Sequence, residues 1–247
     1  MSTRPGTSAE DPPAPLADAE TVSRVLRDVA RLGPFFAVAT DPAEAADPTW
    51  RPLAEFDPVT LRGLIDEYAR RLGTTEDRVA ASLLFQALAA RLWSPALAAA
   101  SRGVVPDLSS LHWRWAPGAP IALWLAEPAG WAADGDAAGL VHRTVVDGLL
   151  HPVRVTFGDV VRVADGLLWG NAASALMGVL QGGTHSPGSA AAMRHLAREL
   201  LARHPLAGTG SLGPGASFVR RSCCLYYRVP PGGAMCGDCA LLHPARR

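Results

Sequence analysis

Apolar positions recur at helical spacing over most of the chain. Between Ala17 and Leu32, Val22, Val25, Leu26 and Val29 share one face and Gly33 follows as a stop, which predicts a first helix. Pro34–Ala39 reads as a short strand and Asp41–Pro52 as a Pro/Asp loop. Asp57 followed by Pro58 marks a capped helix start, and Leu61, Leu64, Ile65, Tyr68 and Leu72 form one apolar stripe that ends at Gly73. Thr74, with Asp77 three residues on, opens a second helix through Val79, Leu83, Leu84, Leu88 and Leu92 to Pro95. The short joint makes these two an antiparallel helical hairpin at the core of the N-terminal half.

From Asp107 the period changes. Leu111–Trp115 alternates and Ile121–Leu125 is a β-prone run. Val141–Val146 and Val153–Phe157 flank Asp147-Gly148, a hairpin-type signal, so a small antiparallel sheet is expected across residues 111–157. Helical spacing then returns. Asn171 is placed to cap Ala172–Gln181, and Ser186-Pro187 opens a helix that buries Met193, Leu196, Ala197, Leu200 and Leu201 and stops by Pro205. Gly208–Gly215 reads as a Gly-rich hinge. Its match to a phosphate-binding G-x-G-x-x-G is loose, and no strand precedes it. The fold class expected is α+β, predominantly helical, with the small sheet in the middle and a C-terminal loop-borne metal cluster. The division is a disordered, proline-rich tail over 1–15, a mainly helical domain over 16–207 and a metal-binding segment over 208–247.

Composition narrows the chemistry by exclusion. All 23 basic residues are arginine and the formal net charge is zero. Without lysine there is no Walker lysine, Schiff base or lysine general base. Zero net charge argues against a nucleic-acid binder driven by phosphate neutralisation. No apolar h-region precedes residue 16, and the long apolar run Val79–Ala100 is interrupted by Gln86, Arg91 and Pro95, so it reads as a buried helix. With no cysteines outside one cluster to form disulfides, a cytoplasmic protein with at most peripheral membrane contact is expected.

That cluster is where the chemistry lies. Cys223, Cys224, Cys236 and Cys239 are the chain's four cysteines, spaced C-C-x11-C-x2-C. Four soft ligands within 17 residues suit a metal centre, either zinc or an iron–sulfur cluster. Adjacent Cα atoms are about 3.8 Å apart, so both sulfurs of Cys223-Cys224 can reach a two-iron cluster if the backbone there is irregular. Pro230-Pro231-Gly232-Gly233 supplies the loop that returns Cys236 and Cys239 to the pair. The seven histidines show no metal-type pairing. His243, four residues past Cys239, is close enough to tune or replace a ligand. The tryptophans, among them Trp113, Trp115, Trp124, Trp131 and Trp169, read as core or sheet residues, with one or two available to line a pocket. No nucleophile–base set is visible.

The segment RRSCCLYYR…CGDC resembles the C-terminal signature of the FhuF-like ferric-siderophore reductases, whose mark is the adjacent cysteine pair. The spacer here is eleven residues against ten in that family, and Leu168-Trp169-Gly170-Asn171 is a further point of likeness. The resemblance implies a [2Fe-2S] cluster on Cys223, Cys224, Cys236 and Cys239. It also implies one-electron reduction of a ferric siderophore, of hydroxamate type, with electrons from a cytosolic ferredoxin or flavoprotein. Arg220, Arg221 and Arg228 would then flank the cluster, either stabilising its reduced form or forming salt bridges, and the Gly237 and Asp238 amides would donate to its sulfurs. The alternatives are a [2Fe-2S] carrier or sensor without a siderophore substrate, and a structural zinc module.

Overall fold

The computed structural model describes residues 14–116, 118–182, 186–213 and 217–242. Within them the chain is α+β and mostly helical. Residues 1–13 of the tail expected over 1–15, and His243, lie outside the described residues, while the Pro15 carbonyl accepts from the Ala132 amide.

Helix α1 spans Ala19–Ala30 and is capped by Asp18, whose carboxylate accepts from the Thr21 amide; Val22, Val25, Leu26 and Val29 are buried as their spacing predicts. Helix α2, Pro58–Leu72, starts at the Asp57 cap and ends at Gly73, which adopts the left-handed conformation that glycine takes at least cost. Helix α3, Asp77–Ala100, packs antiparallel to α2 but runs past Pro95. An internal proline forfeits one hydrogen bond and costs about 3 kcal/mol or more. Here most of the helix is buried and it touches α1, α2 and three later helices, so tertiary burial outweighs that cost. Its length and apolar composition would suffice to cross a membrane, but 78% of that stretch is buried inside the fold.

The strands are short and the observed sheets differ from the expected one. Strand β1, Leu16–Ala17, and β3, Val104–Pro106, both pair antiparallel with β6, Gly130–Ala132. Strands β2, Arg51–Pro52, β4, Leu111–Arg114, and β5, Ala122–Leu125, make a second antiparallel sheet in the order β2-β4-β5. Of the segment expected as a strand at Pro34–Ala39, Ala39 alone forms a bridge, to Trp124.

The hairpin expected around Asp147-Gly148 is helix instead. Helix α4, Ala137–Val141, continues as a π-helical stretch, His142–Leu150, into α5, His151–Val160. Val145, Val146, Leu149, Leu150, Val153 and Phe157 all point inward, a helical repeat that overrides the weak β preference of valine. The wide turns precede Pro152, which has no N–H to donate to a regular α ladder.

Helix α6, Asp165–Val179, begins six residues before Asn171, which is therefore interior and fully buried rather than a cap. The apolar run Leu167–Gly170 belongs to the helix because α6 is buried nearly all round, lying along α3. Helix α7, Pro187–Leu201, opens at the predicted Ser186 cap. The described part of the Gly-rich stretch after it is not a free hinge: β7, Gly210–Leu212, pairs with β8, Phe218–Arg220, and β8 packs on α6. The last described strand thus ends with two residues, Arg221 and Ser222, between it and the first cysteine.

Candidate metal centre

Beyond Arg220 the backbone is irregular, as the adjacent cysteines require. Leu225 has φ 67°, in the left-handed region that bulky residues rarely adopt, and a single turn of 3-10 helix follows over Tyr226–Arg228. This reversal lets the Leu225 amide point back at Cys223 Sγ, 3.3 Å away. The chain returns through the Pro-Pro-Gly-Gly loop, where an added Cβ on Gly233 would fall 2.0 Å from the Tyr226 carbonyl oxygen. Only a glycine fits there, and it sets where Cys236 arrives. The C-x2-C turn closes with the Cys239 amide on the Cys236 carbonyl at 3.1 Å.

These turns gather the four cysteines as two pairs. Cys224 Sγ is 3.7 Å from Cys236 Sγ, and the Cys223 thiol faces that of Cys239. Thiolates bound at about 2.3 Å to one tetrahedral metal stand about 3.8 Å apart, so the first pair already has the spacing of two ligands on one ion. Among the described residues no three His, Cys, Asp or Glu converge on a single point. A two-plus-two set is the arrangement a two-metal centre would take. The sulfurs combine partial burial with access, since Cys224 and Cys239 are buried while Cys223 and Cys236 are half-exposed.

The electrostatics come largely from Arg220, a guanidinium 1% exposed at the end of β8. It donates to Cys236 Sγ at 2.7 Å, to Asp238 Oδ1 at 2.9 Å and to Asn171 Oδ1 at 2.7 Å, and its Nε lies 2.9 Å from Asp238 Oδ2. Burial acts to lower its pKa, but Asp238, Cys224 and Cys236 together outweigh that and hold it protonated. The hydrogen bond from Cys236 is the main cause pulling the Cys224 thiol well below its ordinary range, with Arg220 adding to it; the same bond and burial push Cys236 up. Burial also raises Cys223. A thiolate is the form that binds metal, and a buried cation within hydrogen-bond distance of Cys236 favours it.

Asn171 carries this network into the helical body. Its amide donates to the carbonyl and the hydroxyl of Ser82, both at 2.9 Å, and Ser82 Oγ donates to the Cys224 carbonyl at 2.7 Å. Gln86, one turn along α3, has Oε1 3.4 Å from Arg220 Nη1. Helices α3 and α6 therefore grip the cysteine segment through side chains of Ser82, Gln86 and Asn171.

The sequence reads Gln86 as a break in an apolar run, Asn171 as a cap, Arg220 as a flanking charge and Asp238 as a backbone donor, and offers no role for Ser82 or the Asp238 carboxylate. The available signal was Ser82 and Gln86 at i, i+4 in an otherwise apolar stripe, with Asn171 inside a second apolar run. Arg228 forms a half-exposed pair with Glu76 at 2.9 Å, the salt-bridge reading. The sulfurs receive the Leu225 amide and Arg220. Ser222 instead donates to the Gly166 carbonyl at 2.9 Å, tying the segment to the start of α6.

The family model described as the FhuF 2Fe-2S C-terminal domain matches residues 220–241, from Arg220 through all four cysteines. The match covers the cysteine segment and leaves the helical body unmatched. It points to a [2Fe-2S] cluster, for which the paired thiols fit. Neither the curated proteins nor the solved structures give a match.

Proposed function

We propose that Cys223, Cys224, Cys236 and Cys239 hold a [2Fe-2S] cluster and that the protein reduces ferric siderophore complexes of hydroxamate type in the cytoplasm. The observation that carries this reading is the two-plus-two thiol set inside the matched segment. When bound, such a cluster supplies one electron at a time. One electron converts Fe(III) to Fe(II), which hard hydroxamate oxygens hold far less tightly, and the freed hydroxamates take up protons from water. A one-electron donor of ferredoxin or flavoprotein type closes the cycle.

The chain's own residues have three tasks in this reading. The cysteines anchor the cluster. Arg220 offsets its negative charge and donates to one sulfur, a hydrogen bond of the kind that tunes such centres. The exposed apolar side chains of Tyr226, Tyr227, Met235 and Leu242 give a donor protein a surface beside the cysteines. The reading requires no general acid or base. Nucleic acid has no part in the reading, and membrane contact would be peripheral at most.

Replacing Cys236 or Cys239 by Ser tests it. The visible absorbance and the release of iron from a ferric hydroxamate should be lost while most of the helical circular dichroism remains. Iron release that survives either change would remove the cysteines from the reaction.

A further inference from the structure

A cleft of about 410 Å³ opens between the Gly33–Phe36 turn, α3 and α6, within the range typical of small-ligand sites. Three observations single it out. First, it touches the cysteine network. Gln86 lines it, and the same carboxamide lies 3.4 Å from Arg220, which in turn is 2.7 Å from Cys236 Sγ. One guanidinium therefore separates the side chain at the cleft from a cysteine sulfur.

Second, its chemistry is uncharged. The described lining consists of apolar side chains and backbone with Gln86, Ser94 and Ser174 as the polar groups. The neighbouring cleft on the other side of Phe35 carries Arg71 and Arg91, and the one between α2 and β4 carries Arg51 and Arg114. Neither includes a residue of the network around Arg220.

Third, its wall is fixed in advance. Arg91, 2% exposed, donates to the carbonyls of Phe35, Ala37 and Ile121, the last two at 2.8 and 2.5 Å. A buried cation engaged with three carbonyls pins the turn that forms one side of the cleft. Phe35 stands 44% exposed at the lip and offers an apolar ring there. A preformed site spares a ligand the ordering cost of making it.

We infer that this cleft is where the ferric complex seats, and that it selects complexes of zero net charge. The inference rests on the reductase reading above. Three hydroxamates cancel the charge of Fe(III), so their complex presents an apolar, neutral surface with carbonyl and N–O oxygens for Gln86, Ser94 and Ser174. Three catecholates leave a threefold negative charge, which a cleft lined by no charged side chain desolvates at a loss.

The test fills the cleft without touching the network. Gly178 lines it on an exposed turn of α6, and a Cβ added there meets nothing within 4 Å. Gly63 has the same open position in the Arg51/Arg114 cleft and serves as the control. The redox-inert gallium(III) tris-hydroxamate is titrated calorimetrically into the intact, cluster-loaded protein and its Gly178→Phe and Gly63→Phe variants. Gly178→Phe should weaken binding about tenfold or more, as expected of overpacking a contact surface, with Gly63→Phe close to wild type. If circular dichroism shows Gly178→Phe misfolded, Ala90→Leu narrows the same cleft from α3.

Unchanged binding in Gly178→Phe, or loss in Gly63→Phe alone, overturns the site. Equal binding of the gallium(III) tris-catecholate overturns the charge selection. A wild-type protein that reduces the ferric complex yet binds no gallium complex overturns the seat while leaving the reductase reading intact. One that neither binds nor reduces defeats the reading on which the inference rests.

Discussion

Replacing Arg220 by Met removes a buried charge while roughly keeping its volume, and the structure sets the size of the effect. The guanidinium is the shared partner of Asn171, Asp238 and Cys236, all within 2.9 Å. Its loss leaves the Asn171 oxygen buried without a strong donor and the Asp238 carboxylate without its cation. Breaking a buried ion pair from one side costs about 3–5 kcal/mol. Asp238 keeps 19% of its side chain in water, so the lower end, roughly 3 kcal/mol, is appropriate. For a chain of this size that corresponds to a fall of roughly 6–12 °C in melting midpoint.

Arg228→Met is the matched comparison. Its pair with Glu76 has side chains 40% and 35% exposed, and such pairs contribute about 0.2–1 kcal/mol. Thermal melts of the anaerobically purified, cluster-loaded variants at one scan rate should separate the two clearly, with iron counted in each sample before heating. If Arg220→Met and Arg228→Met melt within about 2 °C of one another, both with full iron, Arg220 is not the tie between body and cysteine segment.

Asn171→Leu should cost about 2–4 kcal/mol by denaturant unfolding, because Arg220 and the Ser82 carbonyl lose a buried partner; a cost below about 1 kcal/mol would show that the network is optional. Gly233→Ala should deplete bound iron, since its Cβ collides with the Tyr226 carbonyl, whereas Gly237→Ala, with open space around it, should keep it. Equal iron in both would mean the spacer does not position Cys236. Stripping iron and sulfide anaerobically should leave most of the helical signal intact, because the core formed by α1 to α7 contains few residues of the cysteine segment. Wholesale loss of helix would show that the centre is structural for the entire fold.

The legible parts of the sequence were those where one local rule operates alone. Caps at Asp57 and Ser186, the stop at Gly73 and the stripe of α2 all follow from side-chain chemistry within one turn. The four cysteines were legible because soft ligands have few other reasons to cluster. Misreadings arose where tertiary burial decided. The valines of 141–157 suit a strand alone but fit a helix once their whole spacing faces the core. Pro95 ends an isolated helix but not one buried against several partners. Asn171 has the chemistry of a cap, and its use as a buried link to Arg220 depends on a residue 49 positions away, a pairing that no local pattern encodes.

The most direct test of the central claim is an anaerobic visible spectrum with iron, sulfide and zinc analysis on freshly purified protein. The account predicts two irons and two sulfides per chain, with red-brown absorbance that bleaches on reduction and returns when a ferric hydroxamate is added. A colourless protein carrying one tightly held zinc would contradict it.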